Sequence, residues 1–170
     1  MIIRKLTAED LPAFRDLRIE MCAAHPEAFE QTSDEAAATS DQQLLQWMLP
    51  QDVFPEKFIL AGLQDNEILG VVGFQRDEHF KLRHRALIWS VYVRPQERGR
   101  GICRNLMLQT IEAARTMEGL EFLTLEVSST QTSAKALYVS LGFKTIGNVW
   151  RCYKLSDGSY VDSEDMVLKL

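Results

Sequence analysis

The stretch from Ala86 to Val127 limits most strongly how this chain can fold. Ala86-Leu87-Ile88-Trp89-Ser90-Val91-Tyr92-Val93 is rich in β-branched and aromatic residues and stops at Arg94-Pro95, which predicts a central strand. Arg98-Gly99-Arg100-Gly101-Ile102-Cys103 follows as a turn between that strand and a helix. In the helix Cys103, Met107, Ile111, Ala114 and Met117 recur every three or four positions and give it one apolar face. Gly119 stops the helix. Leu120 to Val127 then alternates, with Leu123, Leu125 and Val127 on one side and Phe122, Thr124 and Glu126 on the other. Strand, helix and strand in this order predict a right-handed parallel crossover.

The flanking segments supply further elements. Ile2 to Lys5 reads as a short strand, and Thr7 with Asp10 reads as a capping box before a helix carrying Leu11, Phe14, Leu17 and Met21. His25 to Ser40 is small, polar and acidic, and Leu44, Leu45, Trp47 and Met48 predict a short helix ending near Pro50. Phe58 to Leu63 and Ile68 to Gln75 flank Gln64-Asp65-Asn66-Glu67 and predict an antiparallel hairpin. Ser133 to Leu141 reads as a helix closed by Gly142. Lys144 to Leu155 and Tyr160 to Leu170 form two more strand candidates around Ser156-Asp157-Gly158-Ser159.

Composition narrows the function. A chain of 170 residues, nearly half of them apolar, is expected to form one domain over residues 1–170. The formal charge of −5 lacks the basic excess that nucleic-acid binding requires, so DNA and RNA are not expected partners. No apolar run resembles a signal peptide or a membrane span, and a soluble, cytoplasmic protein is expected. Cys22, Cys103 and Cys152 are odd in number and far apart, which argues against a disulfide framework and against a metal site.

The glycine turn carries the chemistry. A helix start presents unpaired amides and partial positive charge, and Gly99 and Gly101 let an anion approach the main chain. Arg98 and Arg100 add charge, which favours a phosphate-bearing ligand. A tight turn with solvated arginines is the plainer reading of the same hexapeptide. No Gly-Lys-Ser/Thr ending marks a P-loop, and the dinucleotide fingerprint requires a third glycine.

Val91-Tyr92-Val93-Arg94-Pro95, Arg98-Gly99-Arg100-Gly101-Ile102, Leu125-Glu126-Val127, Ala134, Leu137-Tyr138 and Leu141-Gly142-Phe143 together resemble the GNAT (GCN5-related) N-acetyltransferase family over nearly the whole chain. Pro26-Glu27-Ala28-Phe29 resembles a segment of its bacterial members. The resemblance implies an α/β (α+β) three-layer fold. Its mostly antiparallel sheet of about seven strands would be flanked by about four helices and splayed between the strands at Val91 and Leu125. The resemblance also implies acetyl-CoA as co-substrate, with no metal. Backbone groups near Val91 and Val93 would hold the pantetheine arm and thioester, and amides from Gly99 to Cys103 the pyrophosphate. Tyr92, Gln131, Ala134 and Tyr138 complete the implied cofactor site. Cys103 stands where the family has Gly or Ala, which implies weaker affinity, and Gln131 stands where it often has Asn.

The implied reaction is direct attack of a primary amine, on a small molecule or peptide, on the thioester. Free amines of the lysine type have a pKa near ~10.4, so a base or water must take a proton, and the leaving thiolate needs one back. Tyr138 is the implied general acid. The strand before the glycine turn has no carboxylate, so Glu126 is the first candidate base, ahead of His84 and Glu78, and a route through water stands beside it. The family's acceptor pocket maps to His25–Ser40 and Trp150–Tyr160, where Glu27, Glu30, Asp34 and Glu35 suggest attraction for a cationic amine or simply a solvated acidic loop. A non-catalytic acetyl-CoA-binding domain and a thiol enzyme using Cys103 are the competing readings. Homodimers are common in the family, and this sequence leaves that open.

Overall fold

The computed structural model describes residues 1–50 and 56–170. Its seven-stranded sheet contains β1 (Ile2–Lys5), β2 (Lys57–Gln64), β3 (Glu67–Arg76), β4 (Arg85–Val93), β5 (Phe122–Ser128), β6 (Lys144–Lys154) and β7 (Tyr160–Lys169), in the order β1-β2-β3-β4-β5-β7-β6. β4 and β5 run parallel, as the crossover predicted, and the other neighbouring pairs run antiparallel. The helices are α1 (Leu11–Ala24), α2 (Ser33–Ala38), α3 (Asp41–Met48), α4 (Ile102–Arg115) and α5 (Thr132–Ser140). That makes five among the described residues, where about four were expected. The additional one is α2, which the Thr32 and Glu35 capping box opens. No helix among the described residues is long and apolar enough to cross a membrane.

Helices on both faces leave two apolar cores. On β2, Phe58 and Leu60 join α4 and α5, whereas Ile59, Ala61 and Leu63 join α1, α2 and α3, as the two-residue period of a strand requires. Phe58 stacks on Phe74 with ring centroids 4.7 Å apart. Burying each such ring stabilises the fold by roughly 1.5–3 kcal/mol. The hairpin β2–β3 closes tightly: Gln64 faces Glu67, and Asp65 and Asn66 both have positive φ, as a type I′ turn demands. α4 buries Ile102, Leu106, Met107, Thr110, Ile111 and Ala114. Cys103 therefore lies at the margin of the apolar face rather than in its centre.

The feature that matters for function is a bulge in β4. Val71 pairs with Tyr92 and Gly73 with Trp89, so Val72 alone stands opposite Ser90 and Val91. Ser90 takes φ +49°, a left-handed conformation that costs a non-glycine residue about 1–3 kcal/mol. Pairing of β4 with β5 stops at Leu87–Thr124, just before the bulge. The two strands separate beyond that point, and the sheet is split there.

Asp10 shows how local signals anchor the first helix. Its carboxylate accepts from Arg4 Nη1 and Nη2 at 2.7 and 2.8 Å and from the Thr7 amide at 2.7 Å. The Arg4 hydrogen bonds, more than any other contact, hold its pKa down at about 2. A depressed carboxylate stabilises the fold above its ordinary pKa, and that contribution is lost as pH falls from about 4 toward 2. Asp10→Ala is expected to cost about 1 kcal/mol in urea unfolding at pH 7. The difference from the parent should shrink steadily as the titration is repeated at lower pH.

Candidate active site

The glycine turn and the start of α4 form an open nest of donors. Gly99 and Gly101 both have φ +76°, and a Cβ added to either meets nothing within 4 Å. The first helical amide with a backbone acceptor is Asn105, which bonds the Gly101 carbonyl at 3.0 Å. Among the described residues the amides from Gly99 to Arg104 have no hydrogen-bond acceptor. With the helix dipole behind them, they suit an anion such as a pyrophosphate. The neighbouring arginines are more occupied than the sequence suggested. Arg100 is paired with Glu97, and Arg98 turns inward, donating from Nε to the Val93 carbonyl at 3.1 Å and lying 2.8 Å from His25 Nε2.

The nest opens into a cleft of about 1130 Å³ that occupies the split between β4 and β5. It exceeds the ~300–1,000 Å³ of common small-molecule sites. On the α4 and α5 side it is lined by Cys103, Ala134, Leu137 and Tyr138. Tyr138 is only 5% exposed, and its hydroxyl has no hydrogen-bond partner among the described residues. Burial, assisted by the nearby Cys103, drives the phenol's pKa far up, so it holds its proton throughout the ordinary pH range. Burial likewise pushes the Cys103 thiol up to about 11, the opposite of what a thiolate nucleophile needs. Tyr92 behaves differently from its neighbours. Its side chain points to α1, donates to Glu20 at 3.0 Å and is pushed up to about 12, chiefly by burial, which leaves its backbone for any role in the cleft.

Glu126 also lines the cleft and accepts from Tyr153 Oη at 2.8 Å and Cys152 Sγ at 3.3 Å. Nothing in the spacing of these residues announces this pairing. It depends on β6 reaching across the end of the sheet. His84 and Glu78 are not among the residues lining the cleft; the His84 ring packs edge-on against Phe122. Of the expected acceptor loop, His25, Ala28, Phe29, Glu30 and Gln31 line the cleft, whereas Glu35 is spent on the α2 cap. Tyr153 is the lining residue from Trp150–Tyr160; Trp150 is 73% exposed, with Arg151 over its ring. Gln131 donates to Glu27 at 2.6 Å, Glu27 meets His25 Nδ1 at 3.2 Å, and His25 reaches Arg98. This chain of contacts ties the start of α5 to the glycine turn through the loop after α1.

Comparison with known proteins agrees with this architecture. Residues 14–143 match the model of the acetyltransferase (GNAT) family. N-acetyltransferase 8 of Homo sapiens is 30% identical over 89 residues, a match covering 52% of this chain and 39% of that protein, so the chain spans well under half of that relative's length. An acetyltransferase of the GNAT family from Streptococcus pneumoniae superposes with a TM-score of 0.87 at 19% identity, over 99% of both chains. The structure of yncA from Salmonella typhimurium, solved with its cofactor acetyl-CoA, superposes with a TM-score of 0.77 at 22% identity, over 100% of this chain and 94% of that one. The split sheet, the donor nest at α4 and the family match over most of its length place this chain in the GNAT acetyltransferase family.

Proposed function

We propose that residues 1–170 act as one domain that transfers an acetyl group from acetyl-CoA to a primary amine of a small molecule or peptide. The observation that carries this reading is the nest of free amides from Gly99 to Arg104 opening into the same cleft as the buried Tyr138 phenol. In the proposed reaction the nest grips the pyrophosphate, while Val91, Val93, Gln131 and Ala134 flank the pantetheine arm. The amine lone pair forms the C–N bond, the C–S bond breaks, and Tyr138 gives its proton to the departing sulfur. Glu126, held by Tyr153, takes the ammonium proton directly or through water. Free cysteines persist in a reducing compartment, which supports a cytoplasmic setting.

The test is incubation with acetyl-CoA and a panel of amines, reading free thiol and the mass of the amine product. Thiol release matched by N-acetylated product is expected. Acetyl-CoA binding with no thiol release would leave the non-catalytic, ligand-binding alternative. Glu126→Gln should lower kcat about a hundredfold, at the modest end of general-base effects. Cys103→Ala should leave turnover nearly unchanged, because the buried thiol has no part in the reaction.

A further inference from the structure

The cleft is also lined from α1 and α3, by Arg18 and Trp47, and the charges on that side are unusual. Arg18 is 7% exposed and forms no ion pair among the described residues. Its Nη1 donates to Ser90 Oγ at 2.7 Å and its Nη2 to the Gln31 carboxamide, both neutral acceptors, while the buried Nε has no partner among the described residues. Lys57, 8% exposed, has no hydrogen bond or ion pair among the described residues; its ammonium lies 6.0 Å from the Trp89 ring centroid. Trp89 Nε1 is a third buried donor without a partner among the described residues. All three side chains line the cleft. Burial lowers the pKa of both Arg18 and Lys57, as expected where no carboxylate compensates the charge at close range. The carboxylates that also line this cleft are Glu30, which is exposed, Glu97, which pairs with Arg100, Asp165, which is half-buried on β7, and Glu126, which Tyr153 and Cys152 engage.

Buried cations and orphaned N–H groups are costly unless something completes them. A lone cationic amine would be repelled by Arg18 and Lys57. Resting on the transferase reading above, we propose that the acceptor carries a carboxylate beside its amine, held by Arg18, Lys57 and the Trp89 indole N–H. The site also bounds the molecule's size. Arg18 bonds Ser90, the residue next to Val91 in the β4 bulge, so the carboxylate is bound within about one residue of the main chain flanking the transferring carbonyl. Amine and carboxylate are thus a few bonds apart, as in a free amino acid. The amine faces Glu126 across the split, and the carboxylate faces the cations.

Glycine, alanine, methionine, phenylalanine and glutamate, each compared with its methyl ester, test this together with spermidine. An ester's amine is less basic and more often neutral, so chemistry alone favours the ester. At least one free amino acid is expected to exceed its ester about tenfold or more in kcat/KM, the scale of losing a charge-assisted pair. Arg18→Gln and, separately, Lys57→Met should each remove that preference by raising KM for the acid, with the ester's kcat/KM and acetyl-CoA binding unchanged within about twofold. Lys57→Met guards against a folding defect in the Arg18 variant. Preference for esters or spermidine, no N-acetylation of any free amino acid by protein that binds acetyl-CoA, or equal losses for acid and ester in both variants would overturn the subsite. Failure to bind acetyl-CoA would instead bring down the transferase reading and this subsite with it.

Discussion

Gly101→Glu is expected to raise KM for acetyl-CoA about a hundredfold or more, which corresponds to roughly 2.7 kcal/mol of lost binding. The added carboxylate would stand where the free amides from Gly99 to Arg104 converge, repelling a pyrophosphate and competing for its donors. No atom lies within 4 Å of the added Cβ, so the fold has room for the side chain. What remains is the φ of +76°, which an L-residue adopts at a cost of about 1–2 kcal/mol. Gly101→Asn separates the two effects, because Asn tolerates this conformation and brings no charge. Its KM should stay within about threefold of the parent, and it should lose less than Gly101→Glu in thermal unfolding. Equal KM losses in the two would show that strain, not anion recognition, governs the turn.

Tyr138→Phe should lower kcat by about 10²–10⁴ and leave KM for acetyl-CoA nearly unchanged, the pattern of a group that acts only in the transition state. The Phe ring fills the same buried space between Phe143 and the cleft, so the variant should fold normally. Because burial raises the phenol's pKa, the parent protein should retain its donor on the alkaline side, where more of the amine is neutral. Its kcat should therefore climb with pH as the amine deprotonates and show no descending limb from Tyr138 up to about pH 10. A Phe variant with parental kcat would assign Tyr138 to the apolar stripe of α5 alone.

What could be read beforehand from the chain was set by local chemistry. β4, the glycine turn and α4 follow from strand-forming residues, two glycines and a helical period, all within a few positions of one another. Gly142 takes φ +96° where a helix stop was expected, and Asp65-Asn66 turn with the geometry their residue types favour. α2 was missed although Thr32-Ser33-Asp34-Glu35 carries a capping box, because its small residues give almost no apolar period.

The acceptor side was not legible for a different reason. Arg18 falls at helical spacing on the face of α1 that buries Phe14, Leu17, Met21 and Cys22, yet a guanidinium reads as surface; its burial depends on Ser90, distant in sequence and placed by the β4 bulge. Nothing local in Trp89-Ser90-Val91 announces a bulge, since no glycine marks the left-handed residue. Glu126 and Tyr153 belong to β5 and β6, which flank β7 in the sheet, so their contact spans the intervening strand. Such pairings belong to topology rather than to spacing.

The most direct measurement is calorimetric titration of the purified protein with acetyl-CoA. Binding of one equivalent, lost on Gly101→Glu and preserved in Tyr138→Phe, is the result expected if the α4 nest and the split between β4 and β5 hold the acyl donor. No heat and no binding by the parent protein would contradict it and leave a GNAT fold without the family's donor.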